Sequence, residues 1–291
     1  MDIRIHDNGW VVFLENFDLK TITQEQANTI AKYLLTNTVV IARGQSLTPQ
    51  DEVNICSKIG KIQDFSGTST EFLFNSITPG FLLNDGSGKI IRVTGELDDH
   101  GRPGMFGHVT ELEWHCNRVS DPDRMPIVWL YGERGTAGSR TSWVNNILTY
   151  NDLPEEKKEF FKTLKLNVGN TQQFAQYYRG DDYTPVEIVD YRPNLVHTNQ
   201  LGVTGLFFSW NQTHFIEGLP NEEGRALIEE LRDFCEQEKY MYHHDWADGD
   251  CVFHEQWLGL HKRWEFADME KRVLHRIALD FANCDLGNTI L

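Results

Sequence analysis

The chain holds no uncharged apolar run near the roughly 18 residues that a membrane-spanning helix needs. Its opening residues, MDIRIHDNGW, lack the apolar stretch of a secretion signal. A cytoplasmic protein with no membrane partner is expected. Positive charge is scarce: 27 Lys and Arg against 43 Asp and Glu give a formal net charge of -16. Phosphate binding needs clustered Lys and Arg, so no nucleic-acid partner is expected. Cysteine is sparse too. Cys56, Cys116, Cys235, Cys251 and Cys284 are odd in number, widely spaced and without a C-x-x-C, which argues against a disulfide framework or a zinc ribbon and predicts reduced, mostly buried thiols. NDGSGK at 84–89 lacks the spacing of a phosphate loop, GERGTAGSR at 132–140 has no G-x-G-x-x-G, and no G-x-S-x-G elbow occurs. There is no internal repeat, low-complexity tract or Pro/Ser-rich linker, so residues 1–291 read as one domain.

What is present is material for a core: 40% of residues are hydrophobic and 12% aromatic. GWVVFL at 9–14 and TVVIAR at 38–43 read as strands. Between them Thr23 and Gln26 stand in capping-box spacing ahead of Ala27, Ile30, Ala31 and Leu34, one face of a helix. Thr48, Pro49 and Asp51 open a second helix, with Val53, Cys56 and Ile59 toward the core. Residues 61–145 carry strands such as KIIRVTG and PIVWLYG. A helix is expected from Asp152 through Leu164, and another from about Asn221 with Leu227, Leu231, Phe234 and Cys235 on one face. MYHHDW, DCVFHEQWLGLH and RVLHRIALDF read as the closing strands, the middle one unbroken as far as His261. The pattern predicts a β core with helices packed outside it.

Three stretches carry chemistry. EWHCN places His115 two residues before Asn117, and a strand's period of two would put both on one face. WADGDCVFHEQWLGLHKR contains His261, and RVLHRIALDF contains Arg272 and Arg276. Taken singly, a histidine in an apolar strand is more often structural than a ligand. His243 and His244 are adjacent in a strand, so they point to opposite faces and cannot grip one ion.

In order and spacing, five segments resemble the taurine dioxygenase family of iron(II)/2-oxoglutarate oxygenases. They are TNTVVIARGQSLTPQDEVNICSKIGKI, EWHCN, GTAGSRTSW, GLFFSWNQTHFIEGLPNEEGRALIEEL and GDCVFHEQWLGLHKR with KRVLHR. The resemblance implies a double-stranded β-helix (jelly roll) with flanking helices. It implies oxidation of a small organic molecule, chiefly by hydroxylation, with 2-oxoglutarate converted to succinate and carbon dioxide. On it, His115 and His261 are iron ligands, Thr141 and Arg272 bind the distal carboxylate of 2-oxoglutarate, and Arg276 and Glu111 face the substrate. Two positions depart from the family pattern. EQW at 255–257 replaces its D-N-R and reads as a change in strand packing. Asn117 replaces the carboxylate ligand, which leaves three readings. Asn117 ligates through its amide oxygen, the favoured one. Or the position is vacant, as in iron halogenases. Or Glu113, on the same strand face, or Asp121 substitutes. A halogenase and a metal-free binding protein are the alternative functions. Self-association and substrate identity are left open.

Overall fold

The computed structural model describes residues 1–68, 78, 80–102, 104–169 and 191–287. The chain opens with β1 (Asp2–Ile5), β2 (Val11–Glu15), α1 (Gln24–Asn37), β3 (Val39–Ala42) and α2 (Pro49–Ile59). Both helices begin where their capping signals stand. Thr23 accepts from the Gln26 backbone while Gln26 accepts from the Thr23 backbone, and Thr48 and Asp51 form the same reciprocal pair. Then come β4 (Ile91–Val93), β5 (Leu112–His115), β6 (Ile127–Arg134) and β7 (Arg140–Asn145). A more irregular stretch follows: α3 (Asn146–Asn151), α4 (Glu155–Phe161), β8 (Lys165–Val168), β9 (Val196–Thr198), β10 (Thr204–Leu206) and β11 (Thr213–Glu217). The chain closes with α5 (Asn221–Cys235), β12 (Met241–Asp245), β13 (Cys251–Glu255), β14 (Gly259–Arg263) and β15 (Val273–Leu279).

The molecule is mainly β. A seven-stranded sheet runs β1-β2-β3-β13-β6-β15-β4 and a four-stranded sheet runs β12-β7-β14-β5. Among the described residues the large sheet has one parallel strand pair, β2 with β3, joined through α1, the crossover that parallel strands require. Alternation along each strand sorts residues into layers. On β13, Cys251 and Phe253 turn outward and pack with Ile30 of α1 and Cys56 of α2. Val252 turns inward, into a core that also holds Val128 of β6, Leu274 of β15 and Trp143 of the small sheet. The small sheet's outer face buries Trp114, Val144 and Leu260 against Phe161 of α4 and Leu231 of α5. All five cysteines are free thiols and four are buried. Among the described residues no helix is long and apolar enough to cross a membrane.

Two expectations change. The helix foreseen from Asp152 is two short helices. Asn145 caps the first by accepting from the Ile147 and Leu148 backbones, and Pro154 forces a restart at Glu155 because the residue before a proline disfavours helical backbone. The expected single strand DCVFHEQWLGLH is β13 and β14, in different sheets. The Glu255 carboxylate accepts from the backbones of Trp257 and Leu258, both at 2.8 Å, and turns the chain. Gly259 then passes so close to Glu255 that an added Cβ would lie 2.7 Å from its carbonyl oxygen. In α5, Leu231 and Cys235 are buried as expected, whereas Leu227 and Phe234 are only partly so.

Candidate active site

His115 ends β5 and His261 lies midway along β14, and the two are direct partners across the antiparallel pair. Their ring centroids are 4.0 Å apart. Between this pair and the next, Leu112 with Arg263, the register slips: three steps along β5 match two along β14. This bulge re-aims the β5 side chains. Leu112 and His115 both line one cavity although they are an odd number of residues apart. Glu113 is turned instead toward Lys262, whose Nζ stands 3.2 Å from Glu113 Oε1 and 3.0 Å from Glu111 Oε2. So Glu113 does not share the face of His115, and Glu111 is not part of the cavity wall.

The cavity holds about 490 Å3 of empty space, counting its open mouth. His115, Asn117, Thr141, His261, Arg263, Arg272 and Arg276 supply its polar groups; Leu112, Val128, Leu130 and Leu274 are among its apolar ones. Residues 272, 274 and 276 all face it, the strand period of β15. His115, Asn117, His261, Thr141, Arg272 and Arg276, distant in sequence, thus converge. Glu111 does not.

Both histidines are neutral at pH 7. His115 is pushed down to about 4, first by burial and then by the charges of Arg276 and Arg263, against a hydrogen bond to the Glu113 carbonyl that raises it. Because a carbonyl only accepts, His115 Nδ1 donates to Glu113 O at 2.6 Å, which makes Nε2 the lone-pair nitrogen. His261 is pushed well below its ordinary value, first by burial and then by the neighbouring imidazoles and Arg276. Neutral imidazoles are the form in which histidine binds a metal.

Arg272 is 2% exposed, and among the described residues no carboxylate pairs with it. Its Nε donates to Ser139 Oγ at 3.1 Å. Burial, with Arg263 nearby, pushes it down to about 9. A buried guanidinium without a counter-ion is costly, and its planar fork suits a carboxylate. Thr141 Oγ1 accepts from Trp246 Nε1 at 2.9 Å, so its own hydrogen remains to donate.

Asn117 lies just past β5. Its backbone N–H and its Nδ2 both donate to Gln256 Oε1, at 3.0 and 3.2 Å. The EQW substitution is therefore more than strand packing, since Gln256 touches Asn117 directly. Neither carboxylate considered as a substitute stands at the site: Glu113 pairs with Lys262, and Asp121 with Arg118. Among the described residues no three His, Cys, Asp or Glu side chains gather as a metal site.

Sequence reasoning passed over two residues here. His254 on β13 is fully buried, its ring 4.6 Å from that of His261 and its nitrogens without a partner among the described residues. Only its inward parity on β13, shared with Val252, could have drawn attention to it. Arg263, two residues after His261, donates to the carbonyls of Phe106, His108 and Thr110 and ties that segment to the cavity wall. His243 and His244 diverge as alternation requires: His243 meets Ser142 Oγ, and His244 meets Asp250.

The taurine catabolism dioxygenase TauD, TfdA family model matches residues 9–278. An alpha-ketoglutarate-dependent 2,4-dichlorophenoxyacetate dioxygenase of Cupriavidus pinatubonensis (strain JMP 134) is 35% identical over 274 residues, 90% of this chain and 92% of that protein. A protein of the same name from Burkholderia sp. (strain RASC) is 28% identical over 156 residues, and there the match spans about half of each, 52% of this chain and 52% of the relative. The crystal structure of a taurine dioxygenase from Burkholderia xenovorans superimposes with a TM-score of 0.71 at 20% identity, covering 92% of this chain and 85% of that one, which shows a shared fold.

Proposed function

Because the chain belongs to the taurine catabolism dioxygenase TauD, TfdA family, we propose that it is an iron(II)- and 2-oxoglutarate-dependent dioxygenase that hydroxylates a small organic acid. Residues 1–291 form one oxygenase domain built on a double-stranded β-helix. One observation carries the reading. A buried imidazole and a half-buried one, both neutral, face each other in a cavity that also holds an arginine with no carboxylate partner among the described residues.

The donor set fits the cofactors. His115 and His261 would hold iron(II), with the Asn117 amide oxygen beside them; two imidazoles and an oxygen are the donor types of a facial iron site. Arg272 and Thr141 would hold the distal carboxylate of 2-oxoglutarate, whose negative charge offsets the buried guanidinium. When bound, iron(II) and 2-oxoglutarate together supply the activation of dioxygen, with the cosubstrate decarboxylated to succinate. Arg276, 8% exposed and on the cavity wall, would bind the acid group of the substrate. Leu112, Val128, Leu130 and Leu274 keep water away and suit an apolar body. The 2,4-dichlorophenoxyacetate acted on by the named relatives has both parts, an acid and an apolar ring. Glu111, engaged by Lys262, has no role in this reading. Halogenation would need an open place beside the histidines, and the Asn117 side chain lines that part of the cavity.

The test is anaerobic addition of iron(II) and 2-oxoglutarate, followed by oxygen with a panel of aryloxy and aliphatic acids. A visible charge-transfer band and then iron-dependent succinate, stimulated by one of the acids, are expected. Absence of iron-dependent succinate overturns the reading, and a halogenated product in chloride buffer replaces hydroxylation.

A further inference from the structure

We infer that Gln256 is a positioning residue: it turns the Asn117 amide so that its oxygen faces the cavity, and it makes the site one that an aspartate at 117 cannot serve unless Gln256 changes too. The inference rests on reading His115 and His261 as metal ligands.

Gln256 Nε2 lies 2.5 Å from the Met125 carbonyl, which can only accept. Gln256 Oε1 lies 3.0 Å from the Asn117 backbone N–H, which can only donate. These two partners leave one orientation for the Gln256 amide, however its ends are assigned. The same Oε1 faces the end of the Asn117 side chain at 3.2 Å, so the Asn117 atom there must be the donor, Nδ2. Oδ1 is the other branch of that amide, and Asn117 lines the cavity with His115 and His261. Gln256 has little freedom to turn. It is 2% exposed, its backbone N–H donates to Pro126 O, and Glu255 holds the next two backbone N–H groups.

An aspartate has the same shape as asparagine but accepts with both oxygens. In place of Asn117 it would set a carboxylate oxygen against Gln256 Oε1, acceptor to acceptor. Turning the glutamine over would set its NH2 against the Asn117 N–H and its oxygen against the Met125 carbonyl. The neutral amide at 117 and the glutamine at 256 are thus matched. A centre built this way takes its negative charge from the dianionic cosubstrate, so metal and 2-oxoglutarate should each depend strongly on the other.

Mn(II) is the probe, its binding followed by the paramagnetic resonance of the free ion, with and without 2-oxoglutarate under nitrogen. Four proteins form a cycle: wild type, N117D, Q256M and the double variant. Wild type is expected to bind Mn(II) at least about tenfold more tightly with 2-oxoglutarate present. N117D alone should gain less than about threefold despite its added charge, Q256M alone should weaken binding, and the double variant should bind about tenfold or more tightly than either single one. If N117D alone tightens Mn(II) by tenfold and Q256M adds nothing, Gln256 does not govern the site. N117D preserves side-chain shape, so a tenfold gain by N117D alone overturns the positioning role even if Q256M folds poorly. If H115A and H261A abolish binding while none of the changes at 117 or 256 moves it, the positioning role is overturned and the histidine site stands. If H115A and H261A keep wild-type affinity, the metal reading itself has failed.

Discussion

Arg272 is the residue at which a cost in stability and the proposed function should be separable. Its guanidinium is buried and its charge is uncompensated by any carboxylate among the described residues. Replacing it with Leu removes that burden, so the ligand-free protein should melt at the same temperature or higher. The same change should weaken 2-oxoglutarate binding by on the order of 2–5 kcal/mol, because a buried carboxylate loses its charged partner. Calorimetric titration of the anaerobic iron protein measures the second effect and thermal denaturation the first. Unchanged 2-oxoglutarate affinity removes Arg272 from the site. For the histidines, His115→Ala and His261→Ala should each abolish stoichiometric iron(II) binding with the fold intact, since both rings sit at the cavity wall rather than in the packed layers. Circular dichroism alongside an iron-binding assay separates loss of a ligand from loss of the fold.

At the scale of the element, the turn between β13 and β14 sets where His261 points, and Glu255 makes that turn. Burial pushes its carboxyl up to about 7 from an ordinary 4.5, against the pull of the Leu258 and Trp257 N–H groups. The folded chain therefore holds this proton more tightly than the unfolded one. The stability it contributes is fully present below pH 4.5 and is lost as pH rises through about 7, at up to roughly 1.4 kcal/mol per pH unit. Glu255→Gln should flatten that part of the pH–stability curve, measured by urea denaturation from pH 4.5 to 8; an unchanged slope would show that Glu255 does not carry the titration. This turn also marks what the sequence could and could not disclose. The starts of α1 and α2 were legible because a capping box is written within four residues. The break after Glu255 was not, because a carboxylate folding back on its own chain has no periodic signature. Nor was the β5 bulge, since register belongs to two strands and only one is read at a time. Strict alternation therefore misassigned Glu113. The histidines and Arg272 were legible through their order along the chain, whereas the contact between Gln256 and Asn117 spans 139 residues and appears only on folding.

Over the whole molecule, charge is divided unevenly. The chain carries a formal -16, yet among the described residues the cavity wall holds Arg263, Arg272 and Arg276 and no Asp or Glu. An anionic substrate must approach a repelling exterior to reach an attracting interior. Added salt screens the exterior over about 8–10 Å but reaches the buried arginines far less. Turnover of an acidic substrate at low concentration should therefore rise, by on the order of twofold or more, as salt is raised from about 10 to 150 mM. A fall over that range would mean that the cavity's arginines, rather than the net charge, govern approach.

Among the described residues the bulged strand β5 is the outermost of its sheet and its one strand neighbour is β14. An ion held by His115 and His261 would fasten that border strand to its neighbour like a rivet, and the amides near residues 112–117 would then exchange with deuterium slowly when the ion is bound and quickly when it is stripped. Loading the metal would set the local fraying rate of the wall that encloses the substrate, so the empty protein would open at the seam where the occupied one stays shut.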